Sequence, residues 1–291
     1  MLKNTFCHIP GIGRTTEERL WSRGFPSWDE VVAGSGSLPL SRKRSDLVAN
    51  AAAESAAALA RADADYFYPR LPSSQQWRMF PEFRCATAYL DIETTGLGAP
   101  GDYITTIALY DGDSIRHFVQ NDNLFLFPEV IERYQLIVTY NGKSFDAPFI
   151  RHHLGVPMRQ AHIDLRHVLA SLGYRGGLKG CERQLGIDRK EMADIDGYFA
   201  VLLWFDYLRN RNERALETLL AYNTLDAVNL ELLMVFAYNE KIKGTPFAES
   251  HRLAAPASPD LPFRPDAETI ARLKGRAWGG RGEVEAGPES S

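Results

Sequence analysis

Residues 86–97 read Ala-Thr-Ala-Tyr-Leu-Asp-Ile-Glu-Thr-Thr-Gly-Leu, and this stretch decides the fold class. Its β-branched, aromatic and aliphatic residues suit an extended strand over 86–92. Residues two apart on a strand share a face, so Asp91 and Glu93 point the same way and can reach one ion. Thr94-Thr95-Gly96 then turns the chain, leaving both acids at the strand end, where open sheets place their ligand sites. Taken alone, Asp-x-Glu fits equally a strand that ends in solvated acids.

Working outward, 103–110 and 114–120 are also β-rich and are set off by Gly-Asp and Asp-Gly-Asp turns, which predicts a three-strand meander. A helix over 128–134, an apolar strand over 136–140, a helix beginning near Phe145 and a short strand over 162–165 follow. Residues 168–239 read as helical, with breaks at the glycines of 173–180 and at Gly186. A meander followed by alternating strands and helices predicts an α/β chain, a mixed sheet flanked by helices on both faces.

Two further stretches carry acids. In Asn141-Gly142-Lys143-Ser144-Phe145-Asp146 an apolar strand runs into a glycine turn and Asp146 opens the next helix, a position that helix-dipole chemistry alone would also favour. In Tyr222-Asn223-Thr224-Leu225-Asp226 the i, i+4 spacing stacks the phenol and the carboxylate on one helix face. By itself that pair also reads as a packed tyrosine and a surface aspartate.

Together, in this order, Asp-x-Glu-Thr, Asn-x-x-x-Phe-Asp and Tyr-x-x-x-Asp resemble the three motifs of the DnaQ-like 3′-to-5′ exonucleases of the ribonuclease-H-like superfamily, in their tyrosine-containing (DEDDy) variant. The middle motif resembles that of the proofreading domains of family-B DNA polymerases. The Trp77-Arg78 approach, Asp-Ile-Glu-Thr-Thr-Gly-Leu and Leu178-Lys179-Gly180-Cys181 are similar to YprB-type ribonuclease-H-like proteins. The histidine variant needs His five residues before the last Asp, where this chain has Ala221.

The resemblance implies a ribonuclease-H-like sheet and a site holding two Mg²⁺ or Mn²⁺ ions. Asp91 would bridge both, Glu93 and Asp226 would complete the first, Asp146 would hold the second directly or through water, and Tyr222 would orient the attacking water. Two hard cations about 4 Å apart can clamp the attacking and leaving oxygens of a phosphodiester, and carboxylates are their natural ligands. It further implies that Thr94 and Leu97 meet the terminal nucleotide, although Leu97 can equally anchor its loop. Asn141 and Lys143 are further candidate nucleic-acid contacts, though a lone lysine in a turn is commonly just solvated. His162 and Asp164 share a face of a short strand and read as a structural pair before a metal pair.

Near the amino terminus, His8-Ile9-Pro10-Gly11-Ile12-Gly13 followed by Thr16 and Leu20 resembles the hairpin of helix-hairpin-helix DNA-binding motifs. There Gly11 and Gly13 would let backbone N–H groups approach a phosphate, with an ordinary capped turn as the alternative. A helix over 15–23 is expected, capped by Thr15 or Thr16, then a loop over 34–44, a helix over 45–64 and an irregular connection over 66–82. The expected organisation is a helical region over 1–70, a connection over 71–84, the exonuclease domain over 85–242 and a partly disordered extension over 243–291, mobile from Gly279.

A net charge of −4 argues against coating nucleic acid through bulk electrostatics but leaves a metal-dependent nuclease open, since bound cations supply positive charge. Three well-separated cysteines, Cys7, Cys85 and Cys181, show neither metal-ligand spacing nor a disulfide framework. No secretory leader and no apolar run of about 20 residues is evident. A cytoplasmic enzyme acting on nucleic acid, DNA in preference to RNA, without a membrane, is the expectation. An RNA 3′-to-5′ exonuclease and a non-catalytic nucleic-acid-binding module are the alternatives, and protein partners are not legible.

Overall fold

Alternation along the first strand sets the architecture. The computed structural model describes residues 1–34, 36–193 and 195–279. In β1 (Thr87–Thr94), Ala88, Leu90 and Ile92 enter one hydrophobic core, while Tyr89 enters another on the opposite face. β2 (Ile104–Tyr110) and β3 (Ile115–Val119) follow antiparallel; β4 (Leu136–Thr139) and β5 (Ala161–Asp164) lie parallel on the other side. The order β3-β2-β1-β4-β5 puts β1 at the centre of a mixed sheet, as the meander and the later alternation predict. Every residue of β2 and β4 is buried, the threonines Thr105, Thr106 and Thr139 included, which accounts for the mostly apolar content of both strands.

The amino-terminal region holds α1 (Arg14–Ser22), α2 (Trp28–Val32), α3 (Arg42–Ala60), α4 (Ala64–Phe67) and α5 (Phe80–Phe83). α1 begins before the expected threonine caps: Gly13 is its N-cap, no side chain caps it, and both threonines lie inside the first turn. The segment expected to be irregular contains a 3-10 turn, Ser73–Met79, that buries Trp77 and Met79 and leads into α5. A fully buried ion pair ties these parts together: Arg78 Nη1 donates to Glu17 Oε2 at 2.8 Å, and Glu17 Oε1 accepts the amides of Phe6 at 2.6 Å and Cys7 at 3.1 Å. Such a pair offsets its desolvation only as far as its remaining groups are filled; Glu17 Oε1 is filled by the two amides, while Arg78 Nε stays without a partner. One hydrophobic core runs from Met1 and Trp28 through Phe80 to Tyr89, Val138 and Phe247, so the amino-terminal helices and the sheet are packed as neighbours.

Around the sheet lie α6 (Phe127–Ile131), α7 (Asp146–Leu154), α8 (Leu165–Ala170), α9 (Gly177–Gln184), α10 (Gly197–Asn210), α11 (Glu213–Ile242) and α12 (Ala267–Gly279). α6 and α7 pack on the Leu90 and Ile92 face, and α8, α9 and the later part of α11 on the Tyr89 face. The glycine break expected over 173–180 is shorter than predicted. Gly176 and Gly177, with φ of +102° and +75°, complete the turn and α9 starts at once. α12 is clasped to α10 by Arg272 and Asp206, with Arg272 Nη1 donating to Asp206 Oδ1 at 2.9 Å. Of the extension expected to be partly disordered, residues to 279 are described; the mobile tail expected beyond them lies outside the described residues. α11 is apolar and long enough to cross a bilayer, yet 78% of its most apolar window is buried within the protein.

Candidate active site

Asp91 and Glu93 fall on the same side of β1 as Tyr89, the face that α11 covers. Between Glu93 and Thr94 the register against β2 slips, Glu93 standing opposite Thr106 and Thr94 opposite Ile104, a bulge that ends regular pairing beside the acids. Asp226, midway along α11, comes down onto the pair. One ligand oxygen from each of Asp91, Glu93 and Asp226 lies within 4.8 Å of the others. Three carboxylates converging at that spacing fit a hard divalent cation, which takes oxygen ligands.

Asp91 is held by a side chain that sequence reasoning passed over. Asn223 Nδ2 donates to Asp91 Oδ2 at 2.7 Å and to the Asp91 carbonyl at 3.2 Å, while Thr106 Oγ1 donates to Asn223 Oδ1 at 3.0 Å. Burial, then repulsion from Asp226, Glu93 and Asp146, hold the Asp91 carboxyl well above the usual carboxylate range, with the Asn223 bond opposing. Glu93 is raised in the same way by burial and Asp226, against the pull of Lys179 and Arg189.

Asp146 opens α7, whose body packs on the other face of the sheet, and it stands outside the three-residue cluster, although its charge acts on both Asp91 and Glu93. Burial pushes its carboxyl up to about 7, backbone N–H groups at Asp146 itself and at Ile92 oppose that, and the Asp164 charge adds to it. The folded pKa exceeds the ordinary value of roughly 4, so the folded chain binds more protons than the unfolded chain between those values. The contribution of Asp146 to stability is therefore most favourable below roughly pH 4 and is lost as the pH rises to about 7. In EDTA, the stability advantage of Asp146→Asn over wild type is expected to widen from about pH 5 to about pH 7 and then level off. Paired denaturant titrations measure it, and the comparison cancels His8 and His162. A gap independent of pH would show that Asp146 ionises freely.

Tyr222 packs one turn before Asp226. Burial and then the charges of Asp226, Glu93 and Asp91 raise its phenol far above the usual tyrosine range, so it keeps its proton at neutral pH and can orient a water but cannot deprotonate one. Two cations meet here: Lys179, from the Leu178-Lys179-Gly180-Cys181 stretch, and Arg189, which no local pattern announced. Lys179 Nζ, in α9, lies 4.7 Å from the centre of the Tyr222 ring, and burial lowers its pKa. Arg189, just before the 3-10 turn Lys190–Met192, pairs with Asp226 and donates from Nη2 to Glu182 Oε1 at 3.0 Å; Asn229 Nδ2 donates to the same Glu182 oxygen at 2.8 Å. Arg189 thus anchors Asp226 to α9.

The remaining candidates are dispersed. Thr94 is buried and its hydroxyl donates to the Gly96 carbonyl at 2.6 Å, while Leu97 is 92% exposed at the loop tip. Asp102 pins that loop by accepting the amides of Gly98 at 2.9 Å and Ala99 at 2.7 Å. It crowds Gly96 so closely that a Cβ there would lie 2.4 Å from its Oδ1. Asn141 has φ +67° and accepts from Arg166 Nη1 at 2.5 Å. Lys143 points away into a cavity of about 410 Å³, where Nζ donates to Gln76 Oε1 at 3.1 Å. His162 and Asp164 are structural: His162 Nε2 lies 2.8 Å from Thr139 Oγ1, and Asp164 accepts the amides of Asn141, Lys143 and Arg166 at 2.8, 3.1 and 3.0 Å. Gly11 and Gly13 line a separate hollow with His8 and Arg70, and among the described residues the three-residue turn Leu2–Asn4 precedes them.

Comparison with known proteins places these motifs in a family context. A family model described as RNase_H superfamily matches residues 88–238, spanning all four acids and Tyr222. The uncharacterized protein YprB of Bacillus subtilis (strain 168) is 29% identical over 171 residues, which cover 50% of this chain and 40% of YprB. The chain thus spans less than half the length of that relative. Among solved structures, the family B DNA polymerase of the hyperthermophilic archaeon Pyrobaculum calidifontis is similar over 58% of this chain and 27% of the polymerase, with 19% identity and a TM-score of 0.40.

Proposed function

The chain belongs to the RNase_H superfamily, and from that premise we propose that it is a metal-dependent 3′-to-5′ exonuclease acting on single-stranded or frayed DNA. The observation that carries this reading is the meeting of Asp91 and Glu93, from the central strand, with Asp226, from the covering helix, inside 4.8 Å. Asp91 would be shared between two Mg²⁺ or Mn²⁺ ions, Glu93 and Asp226 would serve one and Asp146 the other. Bound there, the ions would stabilise the attacking and leaving oxygens of a phosphodiester. Asn223 holds the Asp91 carboxylate in its rotamer, and Arg189 holds Asp226. Tyr222, protonated, donates a hydrogen bond to the attacking water and fixes its line of approach. Leu97, exposed beside the acids, is a wedge against the terminal base.

The test uses wild-type protein with 5′-labelled and 3′-labelled single-stranded and duplex DNA and RNA, each with Mg²⁺, Mn²⁺ or EDTA. Stepwise shortening of 5′-labelled single-stranded DNA that EDTA abolishes is expected; cleavage of RNA alone transfers the site to the other polymer, and no metal-dependent cleavage of any polymer removes the enzymatic reading.

The glycine hairpin is proposed to tether DNA. Because the amino-terminal helices share the sheet's core, deleting them would expose it, and a point change is the cleaner probe. Gly13 has φ −93° and nothing within 4 Å of a Cβ built on it, so Gly13→Asp fits, and an aspartate is a good N-cap for α1. It also sets a negative charge where a phosphate would approach. Thermal stability is expected to hold or rise slightly while affinity for a long oligonucleotide falls about threefold or more, by loss of a helix-terminus contact. Unaltered affinity in a binding titration removes the tether.

A further inference from the structure

At the end of the parallel strands β1, β4 and β5 that carries Asp91 and Glu93 lies a groove of about 660 Å³, and its lining is basic in a chain whose net charge is −4. Arg166 and Arg175 line it, with Tyr140, Tyr174 and Asn141, and no carboxylate is among its described lining residues. One wall is the turn after β4, which ends at Asp146. The opposite wall is the turn Arg175-Gly176-Gly177 that opens α9, the helix carrying Lys179 onto Tyr222. Tyr140 OH, 3.7 Å from Cys181 Sγ, braces the two walls.

We infer that this groove is the path of the nucleic-acid strand leading to the carboxylates, with backbone phosphates on Arg166 and Arg175 and bases against the Tyr140 and Tyr174 rings. The inference rests on the nuclease reading and deepens it by locating the strand. A planar guanidinium offers paired N–H groups matched to phosphate oxygens. Arg166 spends one on Asn141, which aims the group and leaves others to donate. Tyr174 is fixed edge-on against Phe236, with ring centres 5.3 Å apart, so stacking on it costs little further ordering. The turn beyond Arg175 presents no side chain: Gly176 and Gly177, with φ of +102° and +75°, line the groove, and a Cβ built on Gly177 would meet nothing within 4 Å. Backbone can therefore approach a strand closely here. α9 carries no side-chain cap, and Gly176 and Gly177 at its start line the groove.

The probe is a fluorescently labelled 15-nucleotide single strand, titrated by anisotropy against the full chain in EDTA, so that no cleavage intervenes, over a series of salt concentrations. Arg166→Gln with Arg175→Gln is compared with wild type. It is also compared with Arg133→Gln with Arg159→Gln, which removes the same charge from exposed positions preceding β4 and β5, at the other end of the strands. Loss of two phosphate contacts is expected to raise Kd by about tenfold or more at low salt and to reduce the salt slope by about 1.4. The control pair should stay within about twofold of wild type by the same salt-dependent measure. Arg175→Glu alone, an exposed change that does not touch Asn141, is expected to raise Kd as well and guards against misfolding of the double variant. Unchanged Kd and slope in the groove variants, an equal loss in the control pair, or absence of wild-type binding overturns the groove. Wild type that cleaves oligonucleotides while the groove variants bind normally loses the groove alone. Groove-dependent binding by a wild type that cleaves no polymer loses the nuclease reading instead.

Discussion

Asp226→Asn is expected to lower single-turnover cleavage of a labelled oligonucleotide by roughly 10³-fold or more, because several kcal/mol of transition-state stabilisation is lost with a metal ligand. The substitution keeps the side chain's shape. It also keeps an oxygen for Arg189, which retains Glu182 as a full partner, so the fold should survive. Metal-free stability should even rise, since the burial and crowding that push up Asp91 and Glu93 both include the Asp226 charge. The Mn²⁺-induced rise in Tm expected of wild type should shrink with it, since a ligand stabilises the folded state only as far as it binds. Tyr222→Phe separates the two functions of this helix face. It deletes one hydrogen bond and leaves the carboxylates in place, so cleavage should fall by about 10²-fold with metal affinity little changed. Cleavage across an Mn²⁺ titration for all three proteins decides the matter. Wild-type rates in Asp226→Asn would remove the carboxylates from the chemistry, and wild-type rates in Tyr222→Phe alone would remove only the tyrosine.

The part of this site that could be read in advance is the part with a local pattern. Asp91 and Glu93 share a face because strand side chains alternate, and Tyr222 and Asp226 share one because helix turns repeat; both spacings survive folding unchanged. The meander was legible through local signals too, the β-rich content of 103–110 and 114–120 and the Gly-Asp and Asp-Gly-Asp turns between the strands. Arg189 had no such signature, and Lys179 stood in the Leu178-Lys179-Gly180-Cys181 stretch without a role being read for it. They reach Asp226 and Tyr222 from the residue before a short 3-10 turn and from a neighbouring helix. Asn223 was hidden by its neighbours, a polar residue between two conspicuous ones whose value lies in a bond across to Asp91. Lys143, which its glycine turn offered either as a phosphate contact or as a solvated lysine, reaches Gln76 through its long side chain. The connection before β1 was underread because its buried residues, Trp77, Met79 and Phe80, run from a short 3-10 turn into a four-residue helix and repeat at neither the strand nor the helix period.

Arg189→Met is the second change with a large expected effect, and its target is stability before activity. The arginine side chain is 5% exposed and lies between Glu182, 1% exposed, and Asp226, 7% exposed. Methionine fills a similar volume but strands two buried carboxylates, leaving Glu182 only its bond from Asn229. Breaking a buried pair from one side costs about 3–5 kcal/mol, a large part of the roughly 5–15 kcal/mol that holds a domain folded. Denaturant unfolding in EDTA should therefore show a sharply lowered midpoint. The deficit should shrink as the pH falls, because stranded acids acquire raised folded pKa values, and stability of that kind is present at low pH and lost as the pH rises. Two rescues distinguish charge from packing. Glu182→Gln in the Arg189→Met background removes one stranded charge and can keep the Asn229 bond, so it should restore a substantial share. Mn²⁺ should restore another by neutralising Asp226, to a greater degree than it stabilises wild type, where Arg189 already serves that carboxylate. A loss below about 1 kcal/mol, the scale of an exposed ion pair, would mean that Arg189 is not the counter-charge of this site.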